Sequence, residues 1–389
     1  MRGSLRRRGP DAWELRVFVG TEPASGKKIY KYHTLHDTKK DAEREQNRIV
    51  REIETGSYVE PSRETVGQFL ERWLRDYVEV TISRPSTRRS YKMITERHII
   101  PELGHLTLQR LTPVLVQQYY AEQLKNGRVD AQGKKLGRPL ARNTVAHHHA
   151  VLHEALDHAV KWGLVGRNVT DAVDPPTIKR VEMKTWTPEQ AKQFLAVSES
   201  TRYYAALLLA LTTGMRAGEL FGLRWQDVDF DAGTLAIRQT LEKPGPNPRF
   251  GTPKTAKSRR VVTISPQVVE AMRKQKVKQN EERLALGTAW YDFELCFTVF
   301  DGKPLRTGNF RGDVFDPTIK KAGVPRIRFH DMRHSCATLL LGAGVHPKVV
   351  SERLGHAGVG ITLDTYSRVL PTMQREAANM LELRLLGNA

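Results

Sequence analysis

The chain has little cysteine and no long apolar run. Cys296 and Cys336 are the only cysteines among its 389 residues, which is too few for a disulfide framework or a cysteine-based zinc site. No apolar stretch approaches the roughly 18 residues of a membrane span. The start, MRGSLRRRGPDAW, is basic but lacks the apolar segment of a secretory signal. We therefore expect an intracellular protein with no membrane partner.

Acidic residues are outnumbered by basic ones. The sequence has 62 Lys and Arg against 43 Asp and Glu, a net charge of +19. Such a charge favours a polyanionic partner, either nucleic acid or an acidic membrane surface, and no amphipathic membrane anchor supports the second. The length suffices for two or three domains.

Residues 1–58 predict a small sheet backed by one helix. AWELRVFVG and KKIYKYHTL alternate as strands do, and TKKDAEREQNRIVREIETG predicts a helix that ends at Gly56. A β-ribbon with basic and aromatic side chains can enter a DNA major groove. The residues that suggest this are Arg6, Arg7, Arg8 and Lys28, interleaved with Trp13, Tyr30 and Tyr32. The alternative is an adaptor domain with a solvated charged face.

Residues 63–175 predict four helices. Apolar residues recur at helical spacing in TVGQFLERWLRDYVEV, PSTRRSYKMITERHII, TPVLVQQYYAEQLKNG and ARNTVAHHHAVLHEALDHAVKWG. The second helix has Ser86 or Thr87 as a possible N-cap, and its basic residues Arg88, Arg89 and Lys92 suit a phosphate backbone. The segment 125–140 predicts a mobile loop.

The fourth of these helices is rich in histidine. His149 and His153 lie one turn apart, a spacing that could suit a metal. No cysteine, Asp-rich loop or His-Glu-x-x-His pattern accompanies them. We interpret them as ordinary helix histidines and predict no metal site.

Residues 183–389 predict a mainly helical unit with a small antiparallel sheet. GTLAIRQT and SRRVVTIS predict strands, joined by a long basic loop that contains Lys254 and Lys257. The fold class is therefore multidomain α+β: a sheet-plus-helix unit, an all-α unit and this last one.

Three short motifs in the last unit contain the candidate catalytic residues. LTTGMRAGEL places Arg216 just after Gly214, and FHDMRHSC places His330 and Arg333 three residues apart, on one helix face. LGHAGVGITLDTY adds His356 and, in a predicted polar turn, Tyr366. Each motif alone fits a surface arginine, a helix cap or a packed tyrosine.

Together, in this order, the motifs resemble the tyrosine recombinases, the phage integrases and their relatives. The resemblance implies that Tyr366 is the nucleophile and that Arg216 and Arg333 hold the scissile phosphate. It also implies that Lys254 is the general acid, with Lys257 as its rival. His330 and His356 complete the implied site, and Glu219 in RAGEL matches a supporting acidic position.

The implied roles agree with the chemistry of the residues. Two guanidinium groups can bind phosphate oxygens bidentately. A tyrosine hydroxyl, with a pKa of about 10, needs a cationic field or a histidine base to react at neutral pH. A lysine can protonate the leaving 5′ oxygen. No Asp and Glu cluster offers a two-metal site, so we predict neither metal nor ATP as a cofactor.

The same resemblance implies the organisation of the protein. Residues 1–58 would bind arm-type DNA sites, residues 63–175 would form a SAM-like core-binding domain, and residues 183–389 the catalytic domain. The partners would be double-stranded attachment sites, a homotetramer on synapsed DNA, and an accessory DNA-bending or directionality factor. The location would be the cytoplasm of a bacterial host, at the nucleoid.

Two other functions stay open at this point. A type IB topoisomerase uses similar chemistry without site specificity, and the two basic modules ahead of the catalytic unit argue against it. A repressor or architectural protein could have the fold without the activity, in which case no covalent protein–DNA adduct would form.

Overall fold

The chain divides into two compact units, Met1–Arg180 and Val181–Ala389. The computed structural model describes residues 4–10, 12–21, 25–36, 38–54, 58–130, 132–178, 183–245, 247–252, 259–356, 358–366, 378–379, 381–382 and 384–387. Among these residues, no helix is both long and apolar enough to cross a membrane.

The first unit begins with a three-stranded antiparallel sheet. Its strands are β1 (Ser4–Gly9), β2 (Ala12–Thr21) and β3 (Lys28–His36), in that order. Helix α1 (Lys39–Glu54) follows. Leu15 and Val17 are buried on one face of β2, since residues two apart share a face, and they pack with Ile49 of α1. The predicted sheet-plus-helix fold is confirmed, while Gly56 lies outside the described residues.

Four longer helices complete the first unit, as predicted. They are α2 (Val66–Trp73), α3 (Pro85–Ile94), α4 (Pro113–Asn126) and α5 (Arg142–Lys161). Helices α2 and α3 continue through π-helical turns, Leu74–Val78 and Thr95–Ile99, into short α-helical ends, Glu79–Thr81 and Ile100–Leu103. Two 3₁₀ helices complete this part: Leu108–Arg110 precedes α4, and Val169–Ala172 follows α5.

One detail of this helical part differs from the prediction. The N-cap of α3 is Arg84 rather than Ser86 or Thr87. Proline suits the first helical position because its φ is preset and its missing N–H would have no helical partner there, so Pro85 starts the helix earlier. Within the segment 125–140, predicted to be a mobile loop, an isolated antiparallel bridge joins Val129 to Lys135.

The second unit contains two small sheets. The first is antiparallel with the order β4 (Val228–Asp229), β5 (Thr234–Ile237), β8 (Arg260–Thr263). A hairpin of β6 (Thr240–Lys243) and β7 (Arg249–Gly251) lies between β5 and β8 in sequence. The prediction of one long loop was wrong here. Its Pro- and Gly-rich centre supplies a turn between two short pairing segments.

Helices make up most of the second unit, as predicted. They are α6 (Pro188–Ser198), α7 (Tyr204–Thr213), α8 (Ala217–Phe221), α9 (Pro266–Leu286), α10 (Thr307–Phe310), α11 (Asp316–Ala322), α12 (Asp331–Gly342), α13 (Pro347–Leu354) and α14 (Val359–Tyr366). A π-helical turn, Arg311–Phe315, joins α10 to α11, and 3₁₀ helices span Trp225–Asp227 and Gly287–Ala289.

Trp186 fixes the start of the second unit. Its indole Nε1–H donates to the carbonyl oxygen of Pro325 at 2.8 Å, and its backbone N–H donates to Ser335 Oγ at 3.1 Å. The ring is 1% exposed and lies 4.6 Å from the Phe194 ring, centroid to centroid. This residue therefore joins the first segment of the unit to elements that come much later in the chain.

Parts of the C-terminal segment are also described. Residues 378–379, 381–382 and 384–386 are helical. Leu381, Leu385 and Leu386 are 59%, 71% and 76% exposed. The sequence PTMQREAANMLELRLL predicts a helix that starts at Pro371, and this start lies outside the described residues.

Candidate active site

Arg216 stands at the start of α8, where a buried carboxylate holds it. Its Nη1 donates to Glu219 Oε1 at 2.8 Å, and its backbone N–H donates to Glu219 Oε2 at 3.0 Å. Glu219 is 3% exposed, whereas the Arg216 side chain is 35% exposed. The buried carboxylate therefore fixes one side of a guanidinium group that solvent, or a ligand, can still reach.

Arg333 lies deeper, on the first turn of α12. It is 3% exposed, and its Nη1 donates to the carbonyl oxygen of Gly214 at 2.7 Å. Gly214 ends α7 in the left-handed region, with φ 64° and ψ 26°. This conformation suits glycine, and it aims the carbonyl at Arg333. The two arginines, distant in sequence, are thus organised around the same turn.

His330 immediately precedes α12, and the turn that carries it is closed by Asp331. The Asp331 carboxylate accepts hydrogen bonds from the Arg328 backbone N–H at 2.8 Å and from Arg328 Nη2 at 2.8 Å. The rings of His330 and His334 meet edge to face, with centroids 5.3 Å apart. Burial and the neighbouring Arg333 lower the pKa of His330, so its neutral form is favoured near pH 7.

His356 follows the turn that ends α13. Gly355 caps this helix with φ 67° and ψ 47°, and the His356 backbone N–H donates to the Ser351 carbonyl at 3.0 Å. Its Nδ1 lies 2.8 Å from Thr362 Oγ1 on α14. Burial, together with the positive charges of Arg333 and Arg216, lowers the pKa of His356 to about 4. The positive field of Arg216 and Arg333 thus reaches the His356 ring.

Three other predicted residues are only partly described, or not described. Tyr366 is the last residue of α14, so the predicted polar turn is in fact a helix that packs against α13. Its side chain lies outside the described part of the structure, as do Lys254 and Lys257. The structure therefore brings together Arg216, Glu219, His330, Arg333 and His356.

Two further arginines belong to this neighbourhood and were missed at the level of sequence. Arg260, the first residue of β8, donates through Nη2 to Glu219 Oε2 at 3.0 Å. Arg353 donates through Nη2 to the Thr212 carbonyl at 2.9 Å and through Nη1 to the Thr263 carbonyl at 3.0 Å. One signal was available: Arg260 lies two residues before buried Val262, on the inward face of a strand.

Two protein-family models match this chain. A model of the phage integrase family matches residues 184–373, and one of the phage integrase N-terminal SAM-like domain matches residues 65–124. Together these two matches cover well over half of the 389 residues. The chain belongs to the phage integrase family, the tyrosine recombinases.

Relatives of this family align over almost the full chain. A "Tyrosine recombinase XerC-like" protein of Caldanaerobacter subterraneus subsp. tengcongensis is 28% identical over 388 residues, which cover 96% of this chain and 96% of the relative. The ICEBs1 integrase of Bacillus subtilis is 25% identical and covers 95% of this chain and 96% of its own length. The integrase of Mycobacterium phage L5 is 29% identical, with 86% and 85% covered.

Solved structures of other tyrosine recombinases have the same fold. The Tn1549 transposon integrase, in complex with transposon right end DNA, superposes with a TM-score of 0.64 at 20% identity, over 83% of this chain and 99% of that one. A lambda integrase dimer bound to a COC' core site gives a TM-score of 0.55 at 18% identity, over 93% and 94%. The predicted α+β fold class is confirmed.

In this phage integrase family member, the N-terminal sheet presents one open face. Arg16 of β2 lies over the Tyr30 ring at 3.7 Å and 6.0 Å from the Tyr32 ring, and Tyr32 is 60% exposed. Trp13 shares the other face with Leu15, and Arg7 lies 5.9 Å from its ring. Arg16, rather than Trp13, therefore joins the two tyrosines on the exposed face.

The predicted DNA-contacting residues differ in their surroundings. Arg8 forms an ion pair with Glu14 at 2.8 Å, and Arg88 donates to the Glu79 carbonyl at 3.1 Å and to its carboxylate at 3.3 Å. The side chains of Arg6, Lys28, Arg89 and Lys92 are exposed. Lys92 Nζ also lies 3.7 Å from Glu96 Oε1, and Arg7 donates to the carbonyls of Gly9 and Pro10, each at 3.1 Å. Arg7, Arg8, Arg88 and Lys92 thus have partners within the chain, while the side chains of Arg6, Lys28 and Arg89 project into solvent.

His148, His149 and His153 of α5 each have a side-chain partner. Tyr119 and Tyr120 place their hydroxyls 2.9 Å from His148 Nδ1 and 2.8 Å from His149 Nδ1. The two ring nitrogens of His153 face different carboxylates, Asp171 at 3.0 Å and Asp157 at 3.4 Å. These three groups are close enough to share an ion, with ligand atoms within 4.8 Å of one another. The contacts present are those of an imidazole that bridges two acids.

Proposed function

We propose that the chain is a site-specific DNA integrase that cleaves and rejoins strands through a covalent 3′-phosphotyrosine. One observation carries the assignment of its site. Arg216, His330, Arg333 and His356 come from three separate segments and meet around the end of α7, with each arginine anchored on a buried acceptor. Two fixed cations side by side are what an anionic phosphodiester requires.

The roles follow from the positions of the groups. Arg216 and Arg333 would hold the non-bridging oxygens of the scissile phosphate as charge develops on them. Because His330 and His356 have lowered pKa values, their neutral forms can accept or share the proton of an attacking hydroxyl at neutral pH.

The covalent step exchanges one ester for another. Tyr366 Oη attacks phosphorus, a phosphotyrosine bond forms, and the bond to the 5′ oxygen breaks. Lys254 would protonate that leaving oxygen. The reverse attack by a 5′ hydroxyl reseals the strand. Since a phosphodiester is replaced by a phosphodiester, the cycle needs no ATP, and the cationic side chains stand where a metal would otherwise stabilise the charge.

The rest of the chain would supply DNA recognition and assembly. We assign residues 1–58 to arm-type sites, residues 63–175 to the core site, and residues 183–389 to catalysis. Integration or excision would take place on synapsed attachment sites in a homotetramer, together with an accessory DNA-bending or directionality factor, in the bacterial cytoplasm. The exposed Leu381, Leu385 and Leu386 would contact a neighbouring protomer.

A trapping experiment tests the function. The purified full chain is incubated, in EDTA, with the DNA that flanks its gene, quenched with detergent, and covalent adducts are mapped by sequencing. We expect adducts at one defined position in wild type and none in Tyr366→Phe, which loses a single hydroxyl and should bind the same DNA with unchanged affinity.

Four results would contradict this assignment. Adducts formed by Tyr366→Phe would reject the nucleophile, and a strict Mg²⁺ requirement would reject cationic catalysis. Adducts at scattered positions, with relaxation of any supercoiled plasmid, would indicate a topoisomerase. Specific binding without adducts would indicate a repressor.

A further inference from the structure

A buried arginine outside the proposed chemistry occupies a central position in the site. Arg260 begins β8, and its side chain is 7% exposed. A charged group is rarely buried unless it is paired and hydrogen-bonded. Its contacts therefore indicate what the position is used for.

The guanidinium group of Arg260 bonds in two directions. Nη2 donates to Glu219 Oε2 at 3.0 Å, and Nε donates to the Arg353 backbone carbonyl at 2.6 Å. Glu219 in turn accepts from Arg216, as described above. Arg353 belongs to α13, three residues before His356. One side chain thus connects the elements that carry Arg216 and His356.

The turn before His356 rests directly on Arg260. A Cβ placed on Gly355 would lie 2.8 Å from Arg260 Nη1 and 3.2 Å from its Cζ. The positive φ of Gly355 already favours glycine, and this contact removes the space for any side chain. The backbone that leads into His356 is therefore held against the guanidinium plane.

The charges explain why an arginine is needed here. Burial tends to raise the pKa of Glu219, but the charges of Arg260 and Arg216 outweigh it, and the pKa is lowered. Glu219 thus stays ionised between two cations. A lysine could replace the charge, but its single ammonium lacks the planar fork that serves two acceptors in different directions.

We propose that Arg260 is a positioning residue for strand cleavage, which holds Glu219 against Arg216 and fixes the turn that carries His356. The inference rests on the proposed function. It predicts that loss of Arg260 misplaces the phosphate-binding Arg216 without removing any group that touches DNA.

The test compares cleavage rates on two substrates. Full-length wild type, Arg260→Met and Arg260→Lys are assayed under single-turnover conditions at saturating protein. The first substrate is a nicked duplex that carries the mapped core site. The second is the same duplex with a methylphosphonate at the scissile position, which lacks the negative charge that Arg216 would bind.

A matched control comes from the same unit. Arg202 is a partly buried arginine paired with a glutamate, Glu282, with side chains 19% and 10% exposed, and it has no contact with the residues of the site in the described structure. Arg202→Met should lower the melting temperature at least as much as Arg260→Met does. It should change the cleavage rate by no more than about twofold at a temperature where both variants are folded.

We expect Arg260→Met to cleave the phosphodiester about 100-fold more slowly, since a misplacement of about 1 Å can have that effect. We expect a loss of less than about tenfold on the methylphosphonate, and an intermediate rate for Arg260→Lys. An equal loss on both substrates, or no loss, overturns the inference. If Arg260→Met does not fold, the substrate ratio for Arg260→Lys decides. If wild type forms no adduct, the proposed function itself fails.

Discussion

The turn at Gly214 allows a quantitative prediction, because the same unit provides an internal control. Gly214 ends α7 with φ 64° and ψ 26°, and Gly323 ends α11 with φ 65° and ψ 17°. A Cβ on Gly214 would overlap Leu354 Cδ2 and lie 3.4 Å from Cys336 Sγ. A Cβ on Gly323 would meet nothing within 4 Å. Alanine at either position meets the same backbone strain, but only at Gly214 does it also meet the core.

The expected magnitudes differ accordingly. Gly323→Ala should lower the free energy of unfolding by about 1–2 kcal/mol, the cost of a left-handed alanine. Gly214→Ala should lose a further 1–3 kcal/mol, about what overpacking a core typically costs. The effect of alanine on the unfolded chain is the same in both variants and cancels in the comparison.

Urea unfolding of the full chain measures the difference in the free energy of unfolding between the two variants. It is read from the unfolding transition that both substitutions shift. Cleavage provides a second readout. Gly214→Ala should also slow adduct formation at temperatures where it is folded, because the Gly214 carbonyl holds Arg333, while Gly323→Ala should not. Equal destabilisation by the two substitutions would refute the role of the Leu354 contact.

Further predictions concern the other parts of the chain. Burial lowers the pKa of His148 to about 3. The unfolded state, with a histidine pKa of about 6.5, therefore takes up the proton first, and the free energy of unfolding should fall by up to about 1.4 kcal/mol per pH unit as pH drops from 6.5 towards 3. In His148→Gln, the free energy of unfolding measured with urea at pH 7, 6 and 5 should depend less steeply on pH, and an unchanged dependence would contradict this. Removal of residues 1–58 should weaken binding to distal sites in gel-shift titrations but spare cleavage of a core-site oligonucleotide, because it removes avidity rather than chemistry; a truncated protein that cannot cleave would argue against modularity. Removal of residues 372–389 should spare binding of one protomer but reduce cooperative binding and recombination, and wild-type recombination rates would exclude an assembly role.

The amphipathic helices and the main motifs could be predicted from sequence because their signals are local. The i,i+3 spacing of His330 and Arg333, and of Arg216 and Glu219, places each pair on one helix turn. Apolar periodicity likewise located α2 to α5. Local patterns of this kind need no knowledge of distant contacts.

The elements that were missed depend on contacts between distant segments. Arg260 and Glu219 are 41 residues apart in sequence, so no local pattern indicates their ion pair. Helix α14 contains Gly360 and Thr362, which have low helix propensity, and it is supported by packing on α13 and by the bond of Thr362 to His356. The β6–β7 hairpin was missed because the proline- and glycine-rich segment between its two strands is equally typical of a loop.

The anchoring of Trp186 has a consequence for how the chain folds during synthesis. Its two hydrogen-bond acceptors are 139 and 149 residues later in the chain. The core of the first unit can assemble as soon as its own helices leave the ribosome, but Trp186 cannot find its partners before Ser335 has emerged. Because synthesis proceeds at about 5–20 residues per second, the apolar helix α7 remains without its final packing for several seconds. Translation that stalls before Ser335 would therefore leave a folded first unit joined to an incomplete, aggregation-prone second unit. This partly synthesised chain is the form of the protein most dependent on chaperones.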